Sequence, residues 1–376
     1  MKRLRIAVDA RSLNTPFRRG IGRYLFEILS RMQTQLDASW LLLGDRPDVT
    51  VEVPASLSAE VEVFEMRGDR FQAWEQIGLP LKAKRFGADV LFCPANRAPI
   101  WQPMPVCVTI HDTMEWDGID GSVPGLYLDR VAPVGLSRAQ RVITISRSSK
   151  EDILRRFPRI GSRVEVIPHG VDEDFLAGRF DSAMRSPAFE SLELDKRPGP
   201  YLVYVGGTSP RKRLRWALER FAQAARPDAT LIVCGIDAKS HASVIREHAS
   251  LVDSRVRFAG YLSQQDLIRI YSGASALLYP TTYEGFGLPA LEAQACGTRV
   301  LMSPVGSLRD LVGPSVESLP IDDAVAWNNA IASALDAGPS ASLRGAASAW
   351  ASRFSWQSSA ASHAASLRSC GQGHGG

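Results

Sequence analysis

Short apolar runs alternate along the chain with longer stretches in which apolar residues recur every three or four positions. The short runs read as buried strands and the longer period as amphipathic helices. In the first half, Leu4–Val8, Trp40–Leu43, Val61–Phe64, Val90–Cys93, Val106–Ile110, Val142–Ile145 and Val164–Ile167 predict strands. Helical period falls on Ile21–Gln33, Gln72–Phe86, Val131–Ala139 and Ser148–Arg156. The alternation then restarts, with strands predicted at Leu202–Val205, Leu231–Cys234, Val256–Phe258, Ala276–Tyr279 and Val300–Met302. Helices are predicted between them at Lys212–Ala225, Lys239–Ala249, Gln264–Ser272 and Pro289–Cys296. Such a pattern is that of α/β domains, each a doubly wound, Rossmann-like parallel sheet covered by helices.

A length of 376 residues suits two domains of similar size. The stretch Ala177–Pro200 lacks steady periodicity and closes on Pro198-Gly199-Pro200, so the division is expected within it, with domains at 1–185 and 186–352. From about Asp322 the chain is rich in Ala and Ser and reads as two or three helices, and the Gly-rich residues 369–376 read as a disordered tail. Two such domains in tandem leave a cleft between the carboxyl ends of the sheets, where ligands of open α/β sheets bind.

Composition narrows the class. With 45% hydrophobic and 22% charged residues the chain is an ordinary globular protein and not a disordered one. A net charge of +4 is too slight to imply a nucleic-acid partner. The five cysteines are odd in number and widely spaced, without a CxxC pair, which argues against a disulfide framework and a structural zinc site and suits a reducing compartment. The longest apolar runs are far short of the roughly 20 residues needed to span a bilayer, and Asp9 interrupts the N-terminal run too early for a secretory signal. A cytoplasmic protein is expected, one able to rest on a membrane surface.

Three segments carry candidate chemistry. The string Tyr279-Pro-Thr-Thr-Tyr-Glu-Gly-Phe-Gly-Leu-Pro-Ala-Leu-Glu292 follows a strand, turns through Gly285 and Gly287, and enters a helix with Pro289 in its first turn. Backbone N–H groups near the two glycines and the positive helix start suit an anion, while Glu284 and Glu292 suit the hydroxyls of a sugar or ribose. Alone, Glu284 also reads as a loop residue and Glu292 as part of a solvated helix face. The second segment is Gly206-Gly-Thr-Ser-Pro-Arg211-Lys212-Arg-Leu-Arg215, where four cations crowd an apparent helix start. Cations there oppose the helix dipole, a conflict that a bound diphosphate would resolve and that a solvated basic patch would also tolerate. In the third, Gly20-Ile-Gly22 comes about a dozen residues after the first strand, too late for a dinucleotide fingerprint. It reads as a flexible loop over a cleft, with Arg19 and Arg23 near an anion, or equally as a surface turn. His111 ends the strand Val106–Ile110 and could donate a hydrogen bond to a substrate oxygen, although a structural role fits as well. Ser146-Arg-Ser-Ser-Lys150 suits either anion binding or helix capping.

Taken in order, these segments resemble the landmarks of retaining GT-B glycosyltransferases of family 4. Tyr283-Glu-Gly-Phe-Gly-Leu-Pro-Ala-Leu-Glu292 is similar to that family's Glu-x7-Glu element, and Val205-Gly-Gly-Thr-Ser-Pro-Arg-Lys212 to its donor-phosphate loop. Val8-Asp-Ala-Arg with Gly-Ile-Gly-Arg-Tyr24, Ile110-His-Asp, Ile143-Thr-Ile-Ser-Arg-Ser-Ser-Lys150 and Ile167-Pro-His-Gly-Val-Asp172 resemble the others. The nearest branch holds bacterial mannosyl- and rhamnosyltransferases of surface-polysaccharide and lipopolysaccharide assembly. The resemblance implies an N-terminal acceptor-side domain, a C-terminal nucleotide-sugar-binding domain, and a final helix at 353–368 crossing back to the first. It implies catalytic roles for Glu284, Lys212, Arg211 and His111, the last near the transferred sugar. Substrate contacts would come from Gly20, Gly22, Gly206, Gly207, Gly285, Phe286, Gly287, Leu288 and Glu292, the last on the ribose. Gly207 stands where several relatives carry an Arg, so Arg211 is expected to take over that work. No Asp-x-Asp lies in a metal-binding context, so transfer without metal or cofactor is expected. GDP-mannose is the favoured donor, a saccharide or lipid-linked saccharide the acceptor, and the cytoplasmic face of the inner membrane a peripheral contact. A nucleotide-sugar 2-epimerase of the same architecture and a non-catalytic nucleotide-sugar-binding protein are the alternatives.

Overall fold

In the computed structural model, which describes residues 3–16, 20–66, 70–119, 125–178, 187–194 and 199–372, seven strands open the chain. They are β1 (Leu4–Asp9), β2 (Ala38–Gly44), β3 (Ala59–Val63), β4 (Val90–Cys93), β5 (Val106–Ile110), β6 (Arg141–Thr144) and β7 (Val164–Val166). All pair in parallel, in the order β3-β2-β1-β4-β5-β6-β7. The central strands β4 and β5 are buried at every position, which is why they appear in the sequence as unbroken apolar runs. Edge strand β3 is partly exposed and carries Glu60 and Glu62.

Two of the predicted helices change character part way along. Gln72–Phe86 begins as a π-helical stretch, Arg70–Gly78, and becomes α-helical only at Leu79–Phe86. Val131–Ala139 is likewise preceded by π-turns at Tyr127–Val131 before the α-helix Ala132–Arg138. Each α-segment has a proline, Pro80 or Pro133, in its first turn. Proline lacks the N–H and crowds the carbonyl four residues earlier, so an unbroken α-ladder cannot pass through it. The helix Arg147–Arg156 is regular: Ser146 Oγ accepts the Ser149 N–H at 2.9 Å, and Arg155 and Arg156 sit at its C-terminal end.

The second sheet comprises β8 (Tyr201–Val205), β9 (Thr230–Cys234), β10 (Val256–Gly260), β11 (Ala276–Tyr279), β12 (Val300–Met302) and β13 (Val316–Ser318). These strands too are all parallel, ordered β10-β9-β8-β11-β12-β13. The sequence does not announce β13, whose Glu317 and Ser318 are exposed and interrupt any apolar run.

Packing divides the chain into one unit formed by Met1–Gly170 with Phe354–Gly376 and another formed by Val171–Arg353. The change falls earlier than the expected 185/186 because residues just after Gly170 already pack in the second unit. Phe175 is buried, and the helix Glu173–Ala177 lies against the helices Leu288–Ala295 and Ala341–Ala351, where Ser348 Oγ donates to the Leu176 carbonyl at 2.9 Å. From Asp322 onward there are three helices, Ala324–Ala337, Ala341–Ala351 and Trp356–Gln372, and the last belongs to the first unit. It packs on the helix Gly20–Gln35 and against β4 and β5. Gly170 passes so close that a Cβ there would lie 2.1 Å from the Trp356 nitrogen. The expectation of a disordered tail from 369 is corrected: the helix continues through Gln372, with Cys370 fully buried and Ser369 Oγ accepting from Arg141 at 2.7 Å. Residues 373–376 lie outside the described residues. No described helix is long and apolar enough to cross a membrane.

Candidate functional site

In the second unit, two strand-to-helix connections meet. The first leaves β8 through Gly206 and Gly207. Gly206 N–H donates to the Cys234 carbonyl at 3.1 Å, and the Tyr204 hydroxyl donates to the carbonyls of Gly207 and Lys212, both at 3.2 Å. Here the structure corrects the expected helix start at Ser209-Pro210. Pro210–Lys212 form a separate 3-10 turn, Arg213 then adopts a left-handed conformation (φ 53°), and the α-helix begins only at Leu214. Arg211 and Lys212 are therefore not in the helix's first turn. Of the other two cations, Arg213 pairs with Asp322 at 2.7 Å and Arg215 with Glu219 at 2.9 Å. Of the four cations only Arg215 stays inside the first turn of the helix, so the conflict between cations and dipole is reduced by geometry.

The second connection leaves β11 at Tyr279 and enters the helix Leu288–Ala295. Thr282 N–H donates to the Arg211 carbonyl at 2.9 Å and joins the two loops. Glu284 then gathers both cations. Lys212 Nζ donates to Glu284 Oε1 at 2.5 Å, and Arg211 Nη1 donates to Glu284 Oε2 at 3.1 Å and to the Tyr283 carbonyl at 3.0 Å. Lys212 also lies 5.2 Å over the ring of Tyr279 and reaches its hydroxyl at 3.3 Å. Burial pushes the Tyr279 phenol well up, so it remains a neutral neighbour of the ammonium.

Gly287 precedes the helix with φ 101°, and a Cβ there would meet Leu308 Cδ2 at 2.4 Å. Only glycine fits. Ser307 holds the loop from below: its buried hydroxyl donates to the carbonyls of Glu284 at 2.7 Å and Phe286 at 3.0 Å. Gly285 and Phe286 lie in this held loop, and Leu288 opens the helix, where an N–H has no intrahelical acceptor. Glu292 is 4% exposed, which overturns its reading as part of a solvated helix face. Arg211, Lys212 and Glu284 are thus brought into one cluster, and Glu292 follows on the same connection as a buried carboxylate. Tyr279 and Ser307 were missed by sequence reasoning. Tyr279 sits at the strand end immediately before the loop, a signal that was available; Ser307 comes from a separate turn, and nothing local marks it.

His111 belongs to the first unit, at the end of β5 and fully enclosed. Its backbone N–H donates to Asn96 Oδ1 at 2.7 Å, and its ring Nε2 lies 2.8 Å from the Pro94 carbonyl. A carbonyl can only accept, so Nε2 carries the proton and Nδ1 a lone pair. Burial pulls the pKa down to about 4, and the ring is neutral. The expected donor role is therefore corrected, because the donor is already engaged and what remains is an acceptor. Around it stand Tyr24, His169 and His363, with ring centroids 4.8, 5.0 and 5.5 Å apart for Tyr24 with His111, His169 and His363. His363 Nδ1 lies 2.8 Å from the Ser359 carbonyl, so its Nε2 accepts from the Tyr24 hydroxyl at 2.6 Å, which in turn accepts from Thr109 at 2.8 Å. Gly20 and Gly22 are also corrected. They form the first turn of the helix Gly20–Gln35, with Gly22 buried, rather than a loop before it. Arg18 and Arg19 lie outside the described residues. Ser146 caps its helix. Among the described residues, no group of three His, Cys, Asp or Glu could hold a metal ion.

Residues 18–175 match the family model described as Glycosyltransferase Family 4, and residues 199–337 the model described as Glycosyl transferases group 1. The D-inositol 3-phosphate glycosyltransferase of Xylanimonas cellulosilytica is 30% identical over 344 residues, 80% of each chain. The enzyme of the same name from Salinispora tropica is 32% identical over 237 residues, covering 59% of this chain and 49% of its own. The O-antigen chain mannosyltransferase B of Escherichia coli is 29% identical over 192 residues, covering 50% of this chain and 49% of its own. The chain thus spans about half the length of several curated relatives it matches. Among solved structures, Anabaena HepE in complex with UDP and glucose superposes with a TM-score of 0.74 at 19% identity, over 97% of this chain and 100% of that one. The likeness, together with the two parallel sheets, bears out the α/β, GT-B architecture.

Proposed function

This chain belongs to glycosyltransferase family 4, and from that premise we propose that it moves a hexose from a nucleotide-diphosphate sugar to a saccharide or lipid-linked saccharide. The observation that carries the reading is the buried cluster of Arg211 and Lys212 on Glu284. In such a transfer the sugar–phosphate bond breaks toward an oxocarbenium-like state while negative charge grows on the leaving diphosphate. Fixed cations and a helix start aimed at that charge stabilise it without rearrangement. Arg211, Lys212 and the backbone from Gly285 to Leu288 take this role in our reading, which assigns no metal and retention of configuration. Gly206 and Gly207 let the diphosphate approach. Glu284 orients the two cations and accepts hydroxyls of the transferred sugar, and Glu292 accepts those of the ribose. His111 accepts a hydrogen bond from the transferred sugar through Nδ1.

Mannose, delivered from GDP-mannose, is the favoured sugar, a choice supported by the mannosyltransferase relative. Surface-polysaccharide or lipopolysaccharide assembly is the setting, in the cytoplasm and against the inner membrane. Membrane contact is supported by the helix Leu79–Phe86, which carries Lys82, Lys84 and Arg85 beside Leu81 (36% exposed). Lys84 lies 5.7 Å over the ring of Trp101, itself 43% exposed. Cations beside exposed aromatic and aliphatic groups suit an anionic lipid surface. Thermal denaturation in the presence of a panel of nucleotide sugars tests the donor, since a ligand that binds only the folded chain raises its midpoint in proportion to affinity. GDP-mannose is expected to give the largest rise; a larger rise with another nucleotide sugar would replace the donor, and no rise with any would remove the reading.

A further inference from the structure

The edge strand β7 borders a cavity of about 590 Å³ whose walls come from β6, β7, the helix Arg147–Arg156 and the C-terminal helix. Every lining residue belongs to the first unit, and none is used by the transfer chemistry above. Three cations, Arg141, Lys150 and Arg163, face it together with a single acid, Glu165. Some partly buried cations elsewhere are matched with acids, as in Arg31 with Glu27 at 2.6 Å and Arg97 with Glu115 at 2.8 Å. The three at this cavity are not. Among the described residues none of the three cations forms an ion pair. Arg141 Nη2 donates to the Ser369 hydroxyl at 2.7 Å, and its buried Nε has no acceptor. Arg163 Nη1 donates to the Ala139 carbonyl at 2.6 Å, and Glu165 is engaged by the Ser366 hydroxyl rather than by a cation.

Three like charges converging on one cavity repel one another and lose part of their hydration, a cost borne only where something offsets it. We propose that this cavity binds a phosphate-bearing dianion, a phosphate ester or diphosphate whose charge matches the excess of two cations. The Lys150 ammonium and the guanidinium groups of Arg141 and Arg163 supply the charge-assisted donors, and the Ser369 hydroxyl, which accepts from Arg141, keeps its own hydrogen for the ligand. The dianion can arrive free in solution or as the headgroup of an anionic lipid. The site is independent of the transfer reaction.

Calorimetric titration of inorganic pyrophosphate into the full chain tests it. Lys150→Gln/Arg163→Gln is expected to weaken one binding event on the order of tenfold or more, the loss typical of removing charge-assisted hydrogen bonds. Arg211→Ala, which disturbs only the second unit's cluster, is expected to leave that event intact. Lys150→Gln alone removes a half-exposed ammonium and gives a smaller loss in the same direction should the double variant fold poorly. Glu165→Gln, which keeps an acceptor for Ser366 and removes the only acid, is expected to tighten binding. Cosedimentation with phosphatidylcholine vesicles, with and without phosphatidate, separates the two sources. Lipid binding lost in Lys150→Gln/Arg163→Gln assigns the site to a headgroup, and pyrophosphate binding alone assigns it to a free ligand. Pyrophosphate and phosphatidate binding both unchanged in Lys150→Gln/Arg163→Gln, or absent from the unaltered chain, would overturn the proposal.

Discussion

Replacing Glu284 by Gln keeps the shape of the side chain and removes the negative charge that Arg211 and Lys212 both pair with. The side chains of the three residues are 15%, 14% and 9% exposed for Arg211, Lys212 and Glu284, so the pairing is largely out of water. Breaking a buried ion pair from one side costs about 3–5 kcal/mol because the remaining charge stays uncompensated. The residual exposure of both cations lowers that to about 2–3 kcal/mol. In a unit of this size each kcal/mol moves the unfolding midpoint by about 2–4 °C, so a fall of about 4–12 °C is expected. The same change should favour a bound diphosphate, since GDP then no longer competes with the Glu284 carboxylate for the two cations. Scanning calorimetry of the wild-type and Glu284→Gln proteins, each with and without saturating GDP, reads both effects. The variant should unfold earlier alone and gain more from GDP than the wild type does. An unchanged midpoint together with an equal GDP shift would refute the electrostatic account of this cluster.

Other expectations follow from the same geometry. Gly287→Ala forces a side chain into a left-handed conformation 2.4 Å from Leu308 and should cost about 1–3 kcal/mol of stability along with most activity, read by thermal denaturation and donor turnover. Ser307→Ala removes the donor to the Glu284 and Phe286 carbonyls and should cost about 1–3 kcal/mol, with a rise in KM for the donor as the loop loosens. His111 and His363 are held neutral with pKa values near 4, below the 6.5 of an unfolded histidine. Their contribution to stability is therefore present above pH 6.5 and lost as pH falls toward 4, on the order of 3 kcal/mol for each ring. Urea unfolding across that range, compared with a His363→Gln variant that titrates less steeply, measures it; equal slopes would contradict the assignment.

Much of this architecture is legible in the chain because its central strands are buried on both faces. The runs Val90–Cys93, Val106–Ile110, Ala276–Tyr279 and Val300–Met302 coincide with β4, β5, β11 and β12 to the residue. What escapes is set by partners distant in sequence. Edge strand β13 has only three residues, two of them exposed, and exists by pairing with β12. The tail looks disordered from composition, yet Ser369 and Cys370 are fixed by Arg141 and by packing on the first unit. At the site, Glu284 and the basic loop each stand out alone, but not that one carboxylate collects both cations from 72 and 73 positions away in the chain. A cluster of cations reads as a strained helix start until Arg213's left-handed turn is known. The link between Tyr24 and His363 spans 339 positions and leaves no local mark.

The proposed transfer depends on Arg211 and Lys212 gripping a leaving diphosphate, and the turnover of GDP-mannose by a folded Lys212→Ala protein tests this most directly. Loss of that ammonium should lower kcat/KM by about 2–4 kcal/mol of transition-state stabilisation, roughly 30- to 1000-fold, with an unaltered circular dichroism spectrum. Turnover close to that of the wild type by the folded variant would contradict it.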